Sequence, residues 1–116
     1  MTASTTAACK AKARLHQQEI AKDIQNALDL YPDDVVSRSM GASGADIMLS
    51  KIAQERFPFA VEAKRCEKLS LPKWWKQTEQ NAIKEGLVPM LIYRQNNTEN
   101  MVVMKWKDFL EVVKDD

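Results

Sequence analysis

The chain has 116 residues, of which 45% are hydrophobic and 28% charged. This is the balance of a globular protein and the length of one domain, so we expect a single domain over residues 1–116, with residues 1–7 disordered. No apolar run approaches the roughly 20 residues of a membrane span, and no signal peptide is recognisable. We therefore expect a cytoplasmic protein. The net charge of +1 says little about partners, although five basic residues gather between positions 64 and 76.

The first half of the chain predicts one helix followed by three strands. Apolar residues at helical spacing predict a helix from about Ala8 to Leu30, with Glu19 at the border of its apolar stripe. Residues that alternate between apolar and polar then predict strands at 35–39, 45–49 and 57–64. The predicted apolar stripe of the helix consists of Ile20, Ile24, Ala27, Leu28 and Tyr31.

The second half predicts a helix, two strands and a closing helix. Residues 50–56 are expected to form a polar connection before the third strand. Ser70 can cap a helix that ends at Glu85, since Gly86 follows. Strands are predicted at 88–94 and 101–106, and a short helix at 107–113. The order αβββαββα predicts an α/β fold with a mixed central sheet flanked by helices.

Strand alternation brings chemistry-bearing side chains to one place. Asp46 lies on the face of its strand opposite to Ile47 and Leu49, and Glu62 and Lys64 share the non-core face of the third strand. If these two strands pair, the two carboxylates come close, and carboxylates about 4 Å apart repel by roughly 4 kcal/mol at an effective dielectric constant near 20. A divalent cation such as Mg²⁺ would relieve this repulsion and bind phosphate oxygens as well. The cation would activate a water for phosphodiester hydrolysis, beside the positive charge of Lys64.

A Glu-x-Lys triplet alone is weak evidence. Its plain interpretation is a solvated strand face with a surface salt bridge, worth about 0–1 kcal/mol. Two observations favour the functional interpretation. The triplet at 62–64 is the only Asp/Glu-x-Lys in the chain, and it follows a Gly-Ala-Asp hairpin behind a helix that carries Glu19, which could reach a second metal or its water shell.

This pattern resembles the PD-(D/E)XK nuclease superfamily, and within it the archaeal-type and phage Holliday junction resolvases. The resemblance covers a restriction-endonuclease-like αβββαβ core from about residue 8 to residue 94. It is carried by Glu19 on the first helix, by the run Arg38-Ser39-Met40-Gly41-Ala42-Ser43-Gly44-Ala45-Asp46-Ile47, and by Phe59-Ala60-Val61-Glu62-Ala63-Lys64. It implies metal binding by Asp46, Glu62 and the Ala63 carbonyl, with Lys64 activating the water and Mn²⁺ able to substitute for Mg²⁺. One departure is Ala-Asp where the motif name has Pro-Asp.

The second helix carries a polar face that would border this site. Lys73, Gln77, Gln80 and Lys84 recur at spacings that put them on one side of a helix. The resemblance implies that a glutamine here borders the active site, with Gln77 the first choice and Gln80 the second. An ordinary solvated helix face is the alternative. Of the adjacent Trp74 and Trp75, which cannot share one apolar face, one is expected in the core.

Several further polar residues are candidates for binding DNA phosphates, in a salt-sensitive and largely sequence-independent way. For any one of them a solvated charge is the alternative, and His16 is expected on the helix surface without a catalytic role. The candidates are Arg38, Ser39, Ser43, Arg65, Lys68, Lys73, Lys76 and Gln80.

The sequence thus predicts a metal-dependent DNA endonuclease. The resemblance implies cleavage of branched DNA, such as the Holliday junctions of DNA recombination, by a homodimer, and a phage source. Exposed apolar residues at Val102, Val103, Trp106 and Phe109 would suit the dimer contact. The alternatives are a nuclease for flaps, single strands or a specific duplex site, a non-catalytic DNA-binding protein on a nuclease fold, and an unrelated α/β interaction domain.

Overall fold

The computed structural model describes residues 6–39 and 41–114. Residues 1–5 lie outside this range, so the predicted disorder of residues 1–7 can be compared only at Thr6 and Ala7, which begin the first helix. No described helix has the length and apolar character needed to cross a membrane. The elements are α1 (Thr6–Leu28), a 3₁₀ turn (Pro32–Asp34), β1 (Val35–Ser37), β2 (Ile47–Leu49), α2 (Lys51–Arg56), β3 (Phe59–Arg65), α3 (Leu71–Glu85), β4 (Val88–Arg94), β5 (Met101–Val103) and α4 (Trp106–Lys114).

The strands form a β-hairpin beside a mixed three-stranded sheet. β1 and β2 pair antiparallel, while β3 pairs parallel with β4 and β4 pairs antiparallel with β5. The parallel pair is joined by the crossover helix α3, as parallel strands require. A backbone hydrogen bond of 2.9 Å from Asp46 N to Val61 O joins the hairpin to β3. The predicted mixed α/β fold is confirmed, and it is compatible with a restriction-endonuclease-like core.

The sheet separates two apolar layers. On one face, Ile20 and Ile24 of α1 pack with Ile47, Val61 and Ile92 in the main core. On the other face, α3 covers the even-numbered residues of β3, and a small cluster forms from Ala45, Ala60 and Ala82. The alternation predicted for β3 is therefore confirmed, and it directs Glu62 toward α3 rather than into the main core.

Three predictions of local structure were wrong. Residues 50–56 contain the helix α2, which is capped by Ser50, whose Oγ accepts a hydrogen bond of 3.1 Å from Ala53 N. The fifth strand ends at Val103, and α4 starts three residues later. Tyr31 is 79% exposed, because α1 ends at Leu28 and the chain leaves the apolar stripe before reaching it.

The prediction that His16 lies on the helix surface was also wrong. Its side chain is only 4% exposed, and its Nε2 lies 2.7 Å from Asn100 Oδ1. His16 precedes Ile20 by four residues, so it shares the buried face of α1. Burial lowers its pKa, and the hydrogen bond with Asn100 opposes that shift only in part. Trp74 is the tryptophan that enters the core.

Candidate active site

Two carboxyl groups meet where the hairpin joins the sheet. Asp46 immediately precedes β2, and its Oδ2 accepts a hydrogen bond of 2.8 Å from the backbone N–H of Ala63. Glu62 lies on β3 and is only 3% exposed, and its Oε1 accepts a hydrogen bond of 3.0 Å from Asn81 Nδ2 on α3. The two side chains are in hydrogen-bonding contact with each other. Buried carboxyl groups this close require a shared proton or a bound cation.

The acidity of the pair reflects this crowding. Burial, followed by repulsion from Asp46, raises the pKa of Glu62 to about 7. Burial also raises the pKa of Asp46, although the hydrogen bond from Ala63 and the charge of Lys64 oppose that rise. The pair therefore holds a proton near neutral pH far more readily than exposed carboxylates do.

Lys64 completes the group from the same face of β3. Its Nζ lies 3.4 Å from Gln77 Oε1 on α3, so the amide oxygen accepts a hydrogen bond from the ammonium group. The cavity that contains these side chains has a volume of about 560 Å³ and opens between α1, α3 and the loop that precedes β2. Its lining consists of Ala13, Gln17, Ser39, Gly41, Ala42, Ser43, Gly44, Asp46, Glu62, Ala63, Lys64, Arg65, Cys66, Gln77, Gln80 and Asn81.

Arg38 and Ala45, which precede β2, are held to α3 by an ion pair and hydrogen bonds. Arg38 Nε donates to Ala45 O at 2.6 Å, and its Nη2 lies 3.4 Å from Glu85 Oε2. The same Glu85 oxygen accepts a hydrogen bond of 2.7 Å from Ala45 N. Gly44, at φ +108°, lies so close that a Cβ there would be 2.9 Å from Arg38 Cζ. These contacts fix the backbone one residue before Asp46.

Most of the predicted site residues come together at this cavity. Asp46, Glu62, Lys64 and Gln77 are in direct contact as described. The predicted residues that also line the cavity are Ser39, Ser43, Ala63, Arg65 and Gln80.

Glu19 does not join the other site residues. Its carboxylate pairs with Arg94 Nη1 at 3.3 Å and accepts a hydrogen bond from Asn100, on the other side of α1 from the cavity. Within residues 6–39 and 41–114, no three His, Cys, Asp or Glu side chains are grouped to hold a metal. The expectation that Glu19 reaches a metal beside Asp46 is therefore corrected. The rotation of α1 is set by the burial of Ile20, and this turns residue 19 away.

Four predicted DNA contacts also lie outside the cavity lining. The guanidinium of Arg38 is occupied by Ala45 and Glu85, so its observed role is to hold the loop. Lys68, Lys73 and Lys76 are exposed and stand beyond the rim, where they are available to solvent. The last two extend from the first turns of α3.

Three cavity or support residues were missed by sequence reasoning. Gln17 of α1 is buried against the cavity, and it lies three residues before Ile20 on the same helix face. Asn81 follows Gln77 by four residues, so helical spacing alone could have identified it. Glu85 carries no local signal, because its partners are 40 and 47 residues away in the chain.

The donor atoms of the pair suit a hard divalent cation. Two carboxylate side chains offer oxygen ligands, and in each one oxygen is not engaged by the backbone or amide donor described above. Mg²⁺ typically takes one or two carboxylates and fills its remaining positions with water and phosphate oxygens. Asp46 and Glu62 therefore fit such an ion without any third acidic side chain.

Comparison with known proteins identifies the family. A family described as "Phage putative PDDEXK endonuclease" matches residues 14–116, which is most of the chain. The chain belongs to this phage PDDEXK endonuclease family. No curated protein and no solved structure matches it. The segment that matches the family model includes Asp46, Glu62 and Lys64, together with all of α3.

Proposed function

We propose that this endonuclease hydrolyses DNA phosphodiester bonds with a divalent cation held by Asp46 and Glu62. The observation that carries the proposal is the contact between these two carboxyl groups at the base of an open cavity, with Lys64 beside them. A buried acidic pair destabilises a fold unless a proton or a cation relieves the repulsion, and raised carboxyl pKa values cluster at functional sites.

Each side chain then has a defined task. Mg²⁺, or Mn²⁺ in its place, would polarise the phosphate and make a bound water acidic enough to attack at neutral pH. Asp46, Glu62 and the carbonyl of Ala63 would provide the protein ligands. Lys64 would place a positive charge beside the pentavalent phosphorus centre as the P–O bond breaks. Gln77 would hold the Lys64 ammonium in position through its 3.4 Å contact.

The surroundings of the cavity suit a nucleic-acid backbone. Arg65 lines the cavity, and the hydroxyl groups of Ser39 and Ser43 lie on the loop opposite to it. Lys73 and Lys76 on α3 extend a basic surface beyond the rim, where phosphates on either side of the cleaved bond would pass. Contacts of this kind position DNA without reading its sequence.

We propose branched DNA, such as a Holliday junction, as the substrate, and a homodimer in the host cytoplasm as the active form. The support is the resemblance of residues 38–47 and 59–64 to junction resolvases. Two symmetric cuts in a four-way junction need two active sites, and one chain provides one cavity with the acidic pair. The second candidate function is that of a nuclease that cuts flaps, single strands or a specific duplex site.

A panel of labelled DNAs tests both the proposed nuclease activity and the proposed junction substrate. A four-way junction, a flap, a single strand and a linear duplex are incubated with native protein or Glu62→Ala, in Mg²⁺, Mn²⁺ or EDTA. We expect the native protein alone to cut the junction, and only with a metal. Cutting of another DNA would refute the junction assignment but retain the nuclease. Binding of the junction without any cutting would refute catalysis.

A non-catalytic DNA-binding role makes a different prediction for metals. If the acidic pair were only structural, Mg²⁺ would not alter the affinity of native protein for DNA, and Asp46→Asn would bind as the native protein does. In the catalytic account, Asp46 and Glu62 would hold the metal, and its charge would attract DNA phosphates. Mg²⁺ should therefore strengthen binding by native protein under non-cleaving conditions and should not affect Asp46→Asn.

A further inference from the structure

The last helix presents an apolar face that the described chain leaves about half exposed. Trp106, Phe109, Leu110 and Val113 recur at i, i+3, i+4 and i+7, which places them on one side of α4. Their side chains are 41–71% exposed, and the rings of Trp106 and Phe109 stack on each other at 6.0 Å between centroids. Among the described helices and strands, α4 packs extensively against none. A helix with such a face is stable when the face is buried against a partner.

The chain also has an apolar groove on the α1 side of the sheet. α1 packs over β1 and β3 but leaves much of the same face of β4 and β5 uncovered. The groove there has a volume of about 330 Å³. Its lining is almost entirely apolar and consists of Ile20, Asp23, Ile24, Ala27, Leu28, Phe57, Met90, Ile92, Asn100 and Val102.

The helix and the groove of one chain do not meet. Lys105, directly before α4, pairs with Glu79 of α3 at 3.2 Å, on the face opposite to α1. The groove lies on the α1 face, where Val102 pairs with Ile92. Only two residues separate β5 from α4, and no residue of α4 lines the groove of its own chain.

The exposed apolar area of α4 is large enough for a stable dimer held together by two such contacts. With aromatic side chains covering about 150–250 Å² and aliphatic ones about half as much, the four residues leave about 350 Å² of apolar surface exposed on α4. Each docked helix would bury about this area on itself and about as much on the groove. Two such contacts would therefore bury roughly 1,400 Å² in total, which is within the range of standard protein–protein interfaces.

We propose that two copies of this chain exchange their C-terminal helices, each α4 lying in the groove formed by α1, β4 and β5 of the other copy. The contact is isologous, because each copy donates one helix and one groove across a two-fold axis. The inference deepens the proposed function by naming the surface that joins two nuclease sites. It does not depend on catalysis, since the helix and the groove contain no residue of the catalytic cavity.

The test is the solution mass of variants measured without DNA or metal. Leu110→Glu places a charge on the helix face, while Ala27→Glu and Val102→Glu each place one in the groove. All three positions are exposed in the single chain, so the substitutions should leave it folded, as circular dichroism can verify. Ile52→Glu is the matched control, because Ile52 is 60% exposed on α2, outside both surfaces.

At about 50 μM, well above the Kd of a typical standard-sized interface, native protein and Ile52→Glu should sediment at twice the 13.2 kDa chain mass. Leu110→Glu and both groove variants should sediment at 13.2 kDa. A monomeric native protein overturns the proposal. So does a dimer that survives a groove substitution but not Leu110→Glu, because the helices would then be pairing elsewhere. A native dimer that cuts no DNA would overturn the proposed function and leave this inference standing.

Discussion

The substitution Glu62→Gln should stabilise the metal-free protein at alkaline pH while it abolishes cleavage. The pKa of Glu62 is raised from an ordinary 4.5 to about 7, first by burial and then by the Asp46 carboxylate. Protonated Glu62 therefore stabilises the folded state fully below pH 4.5, and this contribution is lost as the pH rises through about 7. At pH 8 the native chain carries the whole penalty of an ionised, buried carboxylate.

The magnitude follows from the displaced pKa. A pKa difference of one corresponds to about 1.4 kcal/mol, so the rise from 4.5 to about 7 corresponds to at most roughly 3–4 kcal/mol. The amide introduced by Glu62→Gln carries no charge and keeps an oxygen that can accept the hydrogen bond from Asn81. At pH 8 in EDTA the variant should melt about 10 °C higher than the native protein, and at pH 5 the difference should nearly vanish.

Thermal unfolding followed by circular dichroism at both pH values measures this difference. Glu55→Gln provides the matched control, because Glu55 is an exposed glutamate on α2 and its change should stay within about 0.5 kcal/mol at either pH. Excess Mg²⁺ at pH 8 should stabilise the native chain more than the Glu62→Gln variant. A variant no more stable than the native protein at pH 8, or equally stabilised at pH 5, would refute the reasoning.

Three further substitutions test other parts of the site. Lys64→Ala should lower kcat by about 10²-fold with little change in KM, because its charge acts mainly in the transition state; steady-state kinetics measure this. Gly44→Ala should destabilise the fold by about 1–3 kcal/mol in urea unfolding, since its Cβ would meet Arg38 at a strained φ, and Gly41→Ala, with nothing within 4 Å, should cost less. Lys73→Ala should make the plot of log affinity for DNA against log salt concentration less steep by about one phosphate contact, without altering kcat. An unchanged slope of that plot would show that Lys73 does not contact DNA.

The position of the proposed catalytic residues could be predicted because a strand has the simplest side-chain period. In β3, Val61 and Ala63 face the main core, so Glu62 and Lys64 had to share the other face. The pairing of the hairpin with β3 then brought Asp46 to Glu62. Local alternation and one assumed strand pairing were enough. Alternation along a strand decides which of its residues share a face, and no long-range contact is needed for that.

The contribution of α1 could not be predicted in the same way. A helical residue at the border of an apolar stripe can lie on either flank of the core, and the spacing of Ile20 and Ile24 does not say which flank meets the active site. The packing of α1 across β1 and β3 turns Gln17 toward the cavity and Glu19 toward Arg94. This rotation depends on tertiary contacts that no local pattern encodes.

The short helix α2 and the ion pair between Arg38 and Glu85 were also missed, because neither has a clear local pattern in the sequence. The helix α2 has only six residues, too few to show a helical period, and its signal was the capping residue Ser50 alone. The bond between Arg38 and Glu85 spans 47 positions, so neither residue indicated that it fixes the loop before Asp46. Arg38, a candidate DNA contact predicted from its charge, already has partners within the protein.

The central claim, that Asp46 and Glu62 hold the cation that cleaves DNA, is tested most directly by one comparison of cleavage rates. Native protein, Glu62→Gln and Glu19→Gln are assayed on the preferred DNA in Mg²⁺ and in EDTA, so that the same chemical change is made inside and outside the cavity. The account predicts that native protein and Glu19→Gln cut at similar rates in Mg²⁺ only, while Glu62→Gln does not cut. Cleavage by Glu62→Gln at the native rate, or by native protein in EDTA, would contradict it.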